Sequence, residues 1–406
     1  MRASPYAMID PHLALRVVME HTPVLEPETA RAVEAQGRVL AEDVVSEEDM
    51  PPFDAATVDG YAVVAGDETP WRRLLADVTA GRPTDLAVTP GTAMRIMTGA
   101  PLPPGADAVV MLEHATERDG AVQIHRAVKP GDFVQRRGND IARGQVVLAR
   151  GATLGPAEIG LLATLGRLQV RVHRRPRVAV LSTGDELVEP WEPRRPGSIR
   201  DSNRYALVAA IREAGAEPIS LGIAHDDRAL QEERIRQGLA EADVLVTSGG
   251  VSVGTRDLIK PILERLGTVH FGRIALKPGK PLTFATVGSK LVFGLPGFPV
   301  SSLVTFEVFV RPALRKMQGD PRPFRPRVQV TLEHDIKQTP ERTEYQRAVV
   351  RWVEGRLLAR TTGVQVSSRL LSMVGANALV VVPPGEGVVP AGGILEALLV
   401  GPIEGS

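Results

Sequence analysis

Hydrophobic residues recur with different periods along the chain, and each change of period indicates a change of structure. In residues 10–48, apolar positions such as Leu13 and Val17 recur at helical spacing. In residues 50–145, apolar runs are short and Pro and Gly are frequent, which is typical of β-strands joined by turns. The segment 155–166, GPAEIGLLATLG, returns to helical spacing, so the β-rich part is predicted to be an insertion into the first domain.

The second half of the chain divides into an α/β part and a β part. Between residues 176 and 312, short apolar strands such as RVAVLST alternate with helical segments. This alternation predicts a doubly wound parallel sheet with helices on both faces. After the Pro321-Arg322-Pro323 segment, strand-length apolar runs separated by turn signals predict a small closed or sandwiched β domain.

These patterns predict a multidomain protein of the α/β plus β class. The predicted domains, listed in chain order, are an N-terminal domain made of residues 1–49 and 146–175, a β-rich inserted domain at 50–145, an α/β domain at 176–322, and a C-terminal β domain at 323–406.

Composition excludes several kinds of site. The 406 residues include no cysteine, which excludes disulfides, thiolate zinc sites, protein-ligated iron–sulfur clusters and a cysteine nucleophile. Lys and Arg total 48 and Asp and Glu total 48, and this balance disfavours a broad nucleic-acid surface. No segment suggests targeting or a membrane span, so a cytoplasmic protein without membrane or nucleic-acid partners is expected.

Four loops of the α/β part follow apolar strands and are rich in glycine or proline. They are STGDEL (182–187), SGGVSVG (248–254), KPGKP (277–281) and GLPGFPVSS (294–302). Each loop alone is as consistent with a tight turn as with a ligand site. Because ligands of doubly wound sheets bind at the carboxyl ends of the strands, the four loops are expected to converge on one site.

The side chains of these loops suit a phosphate or another oxyanion held with a divalent cation. Three carboxylates are candidate Mg²⁺ ligands: Glu186, Asp226 and Asp257. The chain has only seven lysines, and two of them, Lys277 and Lys280, lie on one proline-stiffened loop that suits a multiply charged anion. Gly249 and Gly250 would allow a phosphate to approach the backbone closely.

Together the motifs resemble those of the molybdopterin molybdotransferase family, to which the C-terminal part of gephyrin also belongs. The matching elements, in order, are FDAATVDGYAV, RIMTGAPLPPGADAVVMLE, GND, STGDEL, DSNRYAL, SGGVSVG, KPGKP and GLPGFPVSS, with weaker matches in YQRA and SSRLLSMVGANAL. Any one motif is of modest specificity. So many in one order, over roughly residues 10–400, are highly specific.

The resemblance implies a fold and a reaction. The fold has an elongated helical and β first domain in two segments, an inserted β domain, a doubly wound α/β domain and a small barrel-like C-terminal β domain. The implied enzyme is a homodimer whose cleft combines the α/β domain of one subunit with the inserted domain of the other. It inserts molybdate into adenylylated molybdopterin and releases AMP and molybdenum cofactor, with Mg²⁺ or a similar divalent cation. Molybdopterin adenylyltransferase and acceptor molybdoenzymes are the implied protein partners.

The resemblance also assigns roles to individual residues. The catalytic positions are Asp59, Thr98, Asp140, Glu186, Asp226 and Asp257, of which the last three are also the metal positions. The positions that hold molybdate or phosphate are Ser252, Lys277, Lys280, Ser301, Arg347 and Ser367. Pro296 and Pro299 match rigid prolines of the last loop, and Phe298 stands where the family usually has Asn.

Two other functions are weighed against this one. Molybdopterin adenylyltransferase uses ATP on the same α/β module, but the β domains and the RIMTGAP and DGYA elements argue against it. A non-catalytic, gephyrin-like scaffold that binds partner peptides would not need the charged loops, and those loops are present.

Overall fold

The computed structural model describes residues 6–250 and 258–405 and divides the chain into two compact units. The large unit comprises Met1–Ala41, Gly151–Gly155 and Val170–Ser406, and the small unit comprises Glu42–Arg150 and Pro156–Gln169. This division does not test the four domain boundaries expected from the sequence, which therefore stay predictions.

A six-stranded mixed sheet, called here the central sheet, forms the core of the large unit. Its strands, in spatial order, are Glu217–Ala224, Arg177–Thr183, Val244–Ser248, Lys290–Leu295, Thr283–Val287 and Thr268–Phe271. The first four are parallel, as the strand–helix alternation predicts, and Thr283–Val287 is antiparallel to both of its neighbours. The sheet reverses because a two-residue turn at Gly288 and Ser289 joins two strands as a hairpin, which a purely parallel sheet does not contain.

Helices cover both faces of the central sheet. Successive side chains of a strand point to opposite faces, so Val178 and Val180 join one core and Ala179 and Leu181 join the other. The helices on the first face are Pro11–His21, Asn203–Glu213 and the continuous run Pro299–Thr305, Phe306–Val310 (π-helical) and Arg311–Met317. Those on the second face are Arg228–Glu241 and Ile259–Leu266. No helix in residues 6–250 or 258–405 is both long and apolar enough to cross a membrane.

The first part of the chain is only partly helical. The helix Pro11–His21 begins after Asp10, whose carboxylate accepts hydrogen bonds from the backbone N–H groups of residues 12 and 13. The helical structure expected beyond this helix is wrong. Pro27–Arg31 is instead a strand paired with Gln169–His173, and it is followed by a short 3₁₀ turn, Ala32–Glu34. Pairing with a distant strand satisfies this backbone better than an isolated helix would.

A closed five-stranded barrel ends the large unit and confirms the predicted C-terminal β domain. Its strands are Arg327–Leu332, Thr343–Val353, Arg356–Thr361, Ala378–Val382 and Ile394–Leu399. The first of these strands pairs with the last, and this pairing closes the barrel. A two-residue strand, Leu276–Lys277, adds to the edge of the barrel strand Thr343–Val353. Short ladders join Ile336–Lys337 to Val388–Val389 and Leu187–Val188 to Ile199–Arg200, and a 3₁₀ turn spans Leu370–Met373.

The small unit contains a second six-stranded mixed sheet and one helix, Pro156–Thr164, where the sequence predicts a helix. The strands, in spatial order, are Ala108–Met111, Gly60–Val63, Thr92–Ile96, Arg72–Val78, Ala121–Ile124 and Ala115–Arg118. Two short ladders, Ala55–Ala56 with Val134–Gln135 and Val44–Val45 with Val146–Leu148, and a 3₁₀ turn at Leu112–His114 complete the unit.

Two glycines of the small unit are expected to respond in opposite ways to a methyl group. A Cβ at Gly60 would lie 1.8 Å from the carbonyl oxygen of Val110 on the neighbouring strand, so Gly60→Ala must push two paired strands apart and lose about 3 kcal/mol of stability. Gly160, on the helix Pro156–Thr164, has nothing within 4 Å of its Cβ position, so Gly160→Ala should add about 0.5–1 kcal/mol. Calorimetric unfolding of both variants checks the two signs, and equal melting temperatures would contradict the packing at Gly60.

Candidate functional site

A cavity of about 970 Å³ opens at the edge of the central sheet where the four parallel strands end. The strand register explains why the loops meet there: Ser182 lies beside Ser248, Ser248 beside Leu295, and Gly294 beside Thr283. The loops after the parallel strands and the loop before Thr283 therefore leave the sheet at one edge. All four loops that the sequence predicts to converge line this cavity, called here the cleft. Ile199, Asp226 and the barrel residues Arg342 and 365–367 complete its lining.

Charge is ordered along this edge. Following the strands across the sheet, the lining residues are Asp226, then Glu186, then Gly249 and Gly250, then the turn 296–298, then Lys280. Neighbouring strands are about 4.8 Å apart, so the strands that carry Glu186 and Lys280 are separated by roughly 14 Å. Carboxylates therefore lie at one end of the cleft and lysine at the other, with a neutral backbone between them.

The carboxylate end contains both a structural residue and candidate ligands. Asp185 is structural in part, because its Oδ1 accepts a hydrogen bond from the backbone N–H of Asp226 at 2.9 Å. Glu186 and Asp226 line the cleft. In residues 6–250 and 258–405 no three His, Asp or Glu side chains are close enough to form a metal site, and Asp257 and Ser252 lie outside these described residues. The three-carboxylate metal site therefore stays a prediction.

The centre of the cleft is built from glycine. Gly249 has φ +93°, and a Cβ there would lie 2.5 Å from the carbonyl oxygen of Thr183 on the adjacent strand. Only glycine fits this combination of backbone angle and close approach. Asn203, from the DSNRYAL motif, supports the same region, since its Nδ2 donates to Ser248 Oγ at 2.8 Å and to the Gly297 carbonyl at 2.7 Å.

Lys277 is not the unpaired cation that its loop suggests. Its Nζ lies 3.2 Å from Oε2 of Glu344 and donates to Oγ1 of Thr339 at 3.0 Å, and Thr339 donates in turn to the same carboxylate at 2.9 Å. The register of the added strand, with Lys277 opposite Glu344, brings the two side chains together. Glu344 is only 2% exposed, so its negative charge offsets that of Lys277. Lys280 is exposed in the cleft and has no ion-pair partner among the residues described.

The proline turn 296–299 forms a further wall. Pro296, Phe298 and Ser301 line the cleft, whereas Pro299 begins the helix Pro299–Thr305 behind it. Proline is suited to the first position of a helix because it has no N–H group to leave unpaired there. The turn therefore presents Phe298 and Ser301 to the cleft on a stiff backbone.

A barrel loop closes the cleft, and Arg347 holds that loop from behind. Ser367 lines the cleft together with Gln365 and Val366. The Arg347 guanidinium donates to the Val366 carbonyl at 3.4 Å, and its backbone N–H donates to Gln365 Oε1 at 2.9 Å. Arg347 is fully buried and does not line the cleft, so its direct contact with an anion stays a prediction. Burial lowers the pKa of Arg347 to about 10, which leaves it protonated at neutral pH.

Three loops of the small unit carry its predicted functional residues. Thr98 donates its backbone N–H and its hydroxyl to Oδ1 of Asp59, at 2.7 and 2.8 Å, and these bonds hold the pKa of that carboxyl below its usual range. The loop of Thr98 is tied to the segment before Asp59 by bonds between Ala56 and residues 99 and 100. The loop of Asp140 is tied to the same segment, since the backbone N–H of Arg137 donates to Asp54. Asp140 itself is exposed, and its backbone N–H donates to the Met50 carbonyl.

Sequence reasoning missed Arg342 and Gln365, which line the cleft, and Asn203 and Glu344, which support its walls through hydrogen bonds. Arg342 is the most consequential, because it adds a second cation to the cleft wall. Only Asn203 carried a local signal, since it lies in a quoted motif at the start of a helix. The other three come from the barrel, whose strands had no predicted register against the α/β part.

Comparison with known proteins identifies the family. Three family models match successive parts of the chain: the MoeA N-terminal region (domain I and II) over residues 9–166, a probable molybdopterin binding domain over 179–316, and the MoeA C-terminal region (domain IV) over 329–400. A molybdopterin molybdenumtransferase of Haemophilus influenzae is 38% identical over 364 residues, which cover 88% of this chain and 90% of that protein. The chain belongs to the MoeA family. It is therefore an enzyme of the MoeA type.

Two further relatives support the MoeA assignment. A gephyrin of Dictyostelium discoideum is 38% identical over 99% of this chain, which spans 64% of the length of that protein. The crystal structure of a molybdopterin biosynthesis MoeA protein from Pyrococcus horikoshii has a TM-score of 0.84 and 32% identity, covering 98% of this chain and 100% of that one. The mixed sheets and the closed barrel described above are thus features of a MoeA-like fold.

The pairing of Lys277 with buried Glu344 predicts a strong energetic coupling. Lys277→Met leaves a buried carboxylate without its cation and should cost about 2 kcal/mol of stability. Adding Glu344→Gln should recover part of this loss, because the unpaired charge is removed. Urea unfolding of the two single variants and the double variant measures the coupling, with Lys280→Met as the matched lysine control. Strictly additive effects of the two substitutions would contradict the pairing.

Proposed function

We propose that this MoeA-family enzyme inserts molybdate into adenylylated molybdopterin and releases AMP and molybdenum cofactor. The observation that carries the proposal is the order of charge in the cleft, with carboxylates at one end, cations at the other and glycine backbone between them. A substrate that contains a phosphoanhydride and reacts with a second anion needs these features in one cavity. The relatives named molybdopterin molybdenumtransferase support the same reaction class.

The cationic end of the cleft would receive the oxyanion. Molybdate is a dianion, and the adenylylated pterin is already anionic, so the two reactants repel each other. Fixed cations at Lys280 and Arg342 lower the free energy of bringing them together. Lys277 contributes mainly as a hydrogen-bond donor, because Glu344 offsets its charge. Ser301 and Ser367 offer hydroxyl groups to the same anion.

The carboxylate end would hold a divalent cation. Glu186 and Asp226 offer the oxygen ligands that Mg²⁺ prefers, so these residues fit such an ion, with Asp257 as the third proposed ligand. When bound, the cation supplies charge neutralisation at the phosphoanhydride. The glycine backbone at residues 249 and 250 lets the phosphate groups lie close to the sheet edge between the two ends.

The sequence resemblance adds a homodimer to this proposal. In it, the loops that carry Asp59, Thr98 and Asp140 complete the active site of the partner subunit. A cytoplasmic location, interaction with molybdopterin adenylyltransferase and transfer of the product to acceptor molybdoenzymes likewise stay predictions from the sequence.

Two single substitutions test the two ends of the cleft separately. Lys280→Ala should raise the KM for molybdate at least tenfold with little change in melting temperature, because Lys280 has no structural ion pair in the described residues. Glu186→Gln should lower kcat and raise the Mg²⁺ concentration needed for half-maximal rate. The measurement is AMP released from adenylylated molybdopterin on addition of molybdate and Mg²⁺. Lys337→Ala, an exposed lysine of the barrel that does not line the cleft, is the matched control.

Wild-type rates in both variants would contradict the proposed function. The adenylyltransferase alternative predicts a different result. Such an enzyme would consume ATP to adenylylate molybdopterin, and it would not need molybdate. A non-catalytic scaffold would release no AMP under either condition.

A mixing experiment tests the homodimer. Asp59→Asn and Glu186→Gln inactivate different parts of the proposed composite site, so a heterodimer of the two variants contains one intact site and one doubly altered site. Random pairing makes half of the dimers heterodimers, and activity should return to about a quarter of the wild-type value. Co-expression with two different affinity tags isolates the heterodimer directly. No recovery of AMP release in it would show that each subunit works alone.

A further inference from the structure

Three large apolar side chains are exposed inside the charged cleft. Ile199, Phe298 and Val366 line the cavity and are 55%, 58% and 49% exposed. Single exposed apolar residues are common on protein surfaces and need no explanation. Three on separate segments around one cavity give the charged cleft an apolar lining as well, and a lining of this mixed kind is typical of a ligand site.

The surface next to Phe298 is formed mainly by glycine backbone. Five glycines line the same cavity, and four of them follow the parallel strands Arg177–Thr183, Val244–Ser248 and Lys290–Leu295: Gly184, Gly249, Gly250 and Gly297. The Cβ position of Gly297 lies 3.7 Å from the Cα of Gly249, so the loops after two neighbouring strands meet through backbone alone. These four residues are called here the glycine floor. An aromatic ring that follows directly on such a floor borders a slot suited to a planar group.

Phe298 lies on a stiff turn directly before a helix. The ring cannot donate or accept an ordinary hydrogen bond, although the residue precedes the helix Pro299–Thr305 where a polar capping side chain is usual. Its turn is stiffened by Pro296 and Pro299, so little conformational entropy is lost when a ligand packs on it. Lys280 lies before the adjacent strand, so anionic groups attached to a ring in the slot lie near a cation.

We propose that Phe298 stacks on a planar nitrogen heterocycle of the substrate, with the glycine floor beneath it and Ile199 and Val366 at the sides. The inference deepens the proposed function and rests on it. Purine and pterin share this chemistry, and adenylylated molybdopterin contains one of each. Stacking of a heterocycle on a protein aromatic ring contributes appreciable affinity and tolerates different ring substituents. Phe298 therefore contacts substrate and determines how the ring is held relative to the charged groups.

Equilibrium binding to the full-length chain tests the inference without the complete reaction. The probes are AMP, neopterin and ribose 5-phosphate, measured by titration calorimetry with Mg²⁺ present. Phe298→Ala should weaken binding of at least one ring-bearing probe about tenfold and leave ribose 5-phosphate unchanged. Phe298→Leu should weaken it to a similar degree, because leucine keeps the apolar area and lacks the ring. Phe298→Trp should retain the affinity and show quenched fluorescence on binding.

The matched control is Phe324→Ala, since Phe324 is 49% exposed in the same unit and does not line the cleft. Loss of AMP affinity alone assigns the slot to adenine, loss of neopterin affinity alone assigns it to the pterin, and loss of both assigns it to either ring. Wild-type affinities in Phe298→Ala, or full affinity in Phe298→Leu, overturn the stacking role and leave the proposed function intact. Failure of the wild-type chain to bind either ring-bearing probe overturns the proposed function together with the inference.

Discussion

A two-residue strand of the α/β part pairs with a strand of the barrel, and this pairing helps to hold the barrel wall of the cleft against the sheet edge. The strand Leu276–Lys277 lies along the start of the barrel strand Thr343–Val353, with Lys277 opposite Glu344, and the backbone N–H of Thr343 donates to Ala275. The same chain segment continues through Lys280 into the central sheet at Thr283. This ladder, the hydrogen bond from the Val300 N–H to the Ser367 carbonyl, and the packing of Tyr345, Leu379 and Leu398 into the core of the central sheet together position the barrel wall of the cleft.

The features that could be predicted from the sequence are those determined by residues near one another in the chain. A buried strand followed by a glycine turn indicates where a loop leaves a parallel sheet, so the sequence predicts that Glu186, Asp226, Gly249 and Lys280 lie at one sheet edge, and all four line the cleft. The partner of Lys277 could not be predicted, because Glu344 is 67 positions away and meets it only through a strand register. The strand Pro27–Arg31 was mistaken for a helix for the same reason, since its partner, Gln169–His173, lies far along the chain.

The balanced net charge of the chain conceals an uneven local distribution. The 48 basic and 48 acidic residues cancel over the whole protein, but along one sheet edge the strands that carry Glu186 and Lys280 are roughly 14 Å apart. Pairing of Lys277 with Glu344 reduces the charge at the cationic end without removing the donor group. A cleft with moderate positive charge suits an oxyanion that must react and leave, because excess positive charge would favour the bound ground state as well as the transition state.

The close approach of backbone at the floor of the cleft also limits how this protein can change. A methyl group at Gly249 would collide with the backbone of the neighbouring strand, and one at Gly250 would lie 2.9 Å from both Thr183 and Ile259, so these two floor positions require glycine. The walls carry no such restriction, since Ile199, Phe298 and Val366 are exposed and lie on different loops. New ligand preferences, whether evolved or engineered, are therefore gained more readily at these three wall positions than at Gly249 or Gly250.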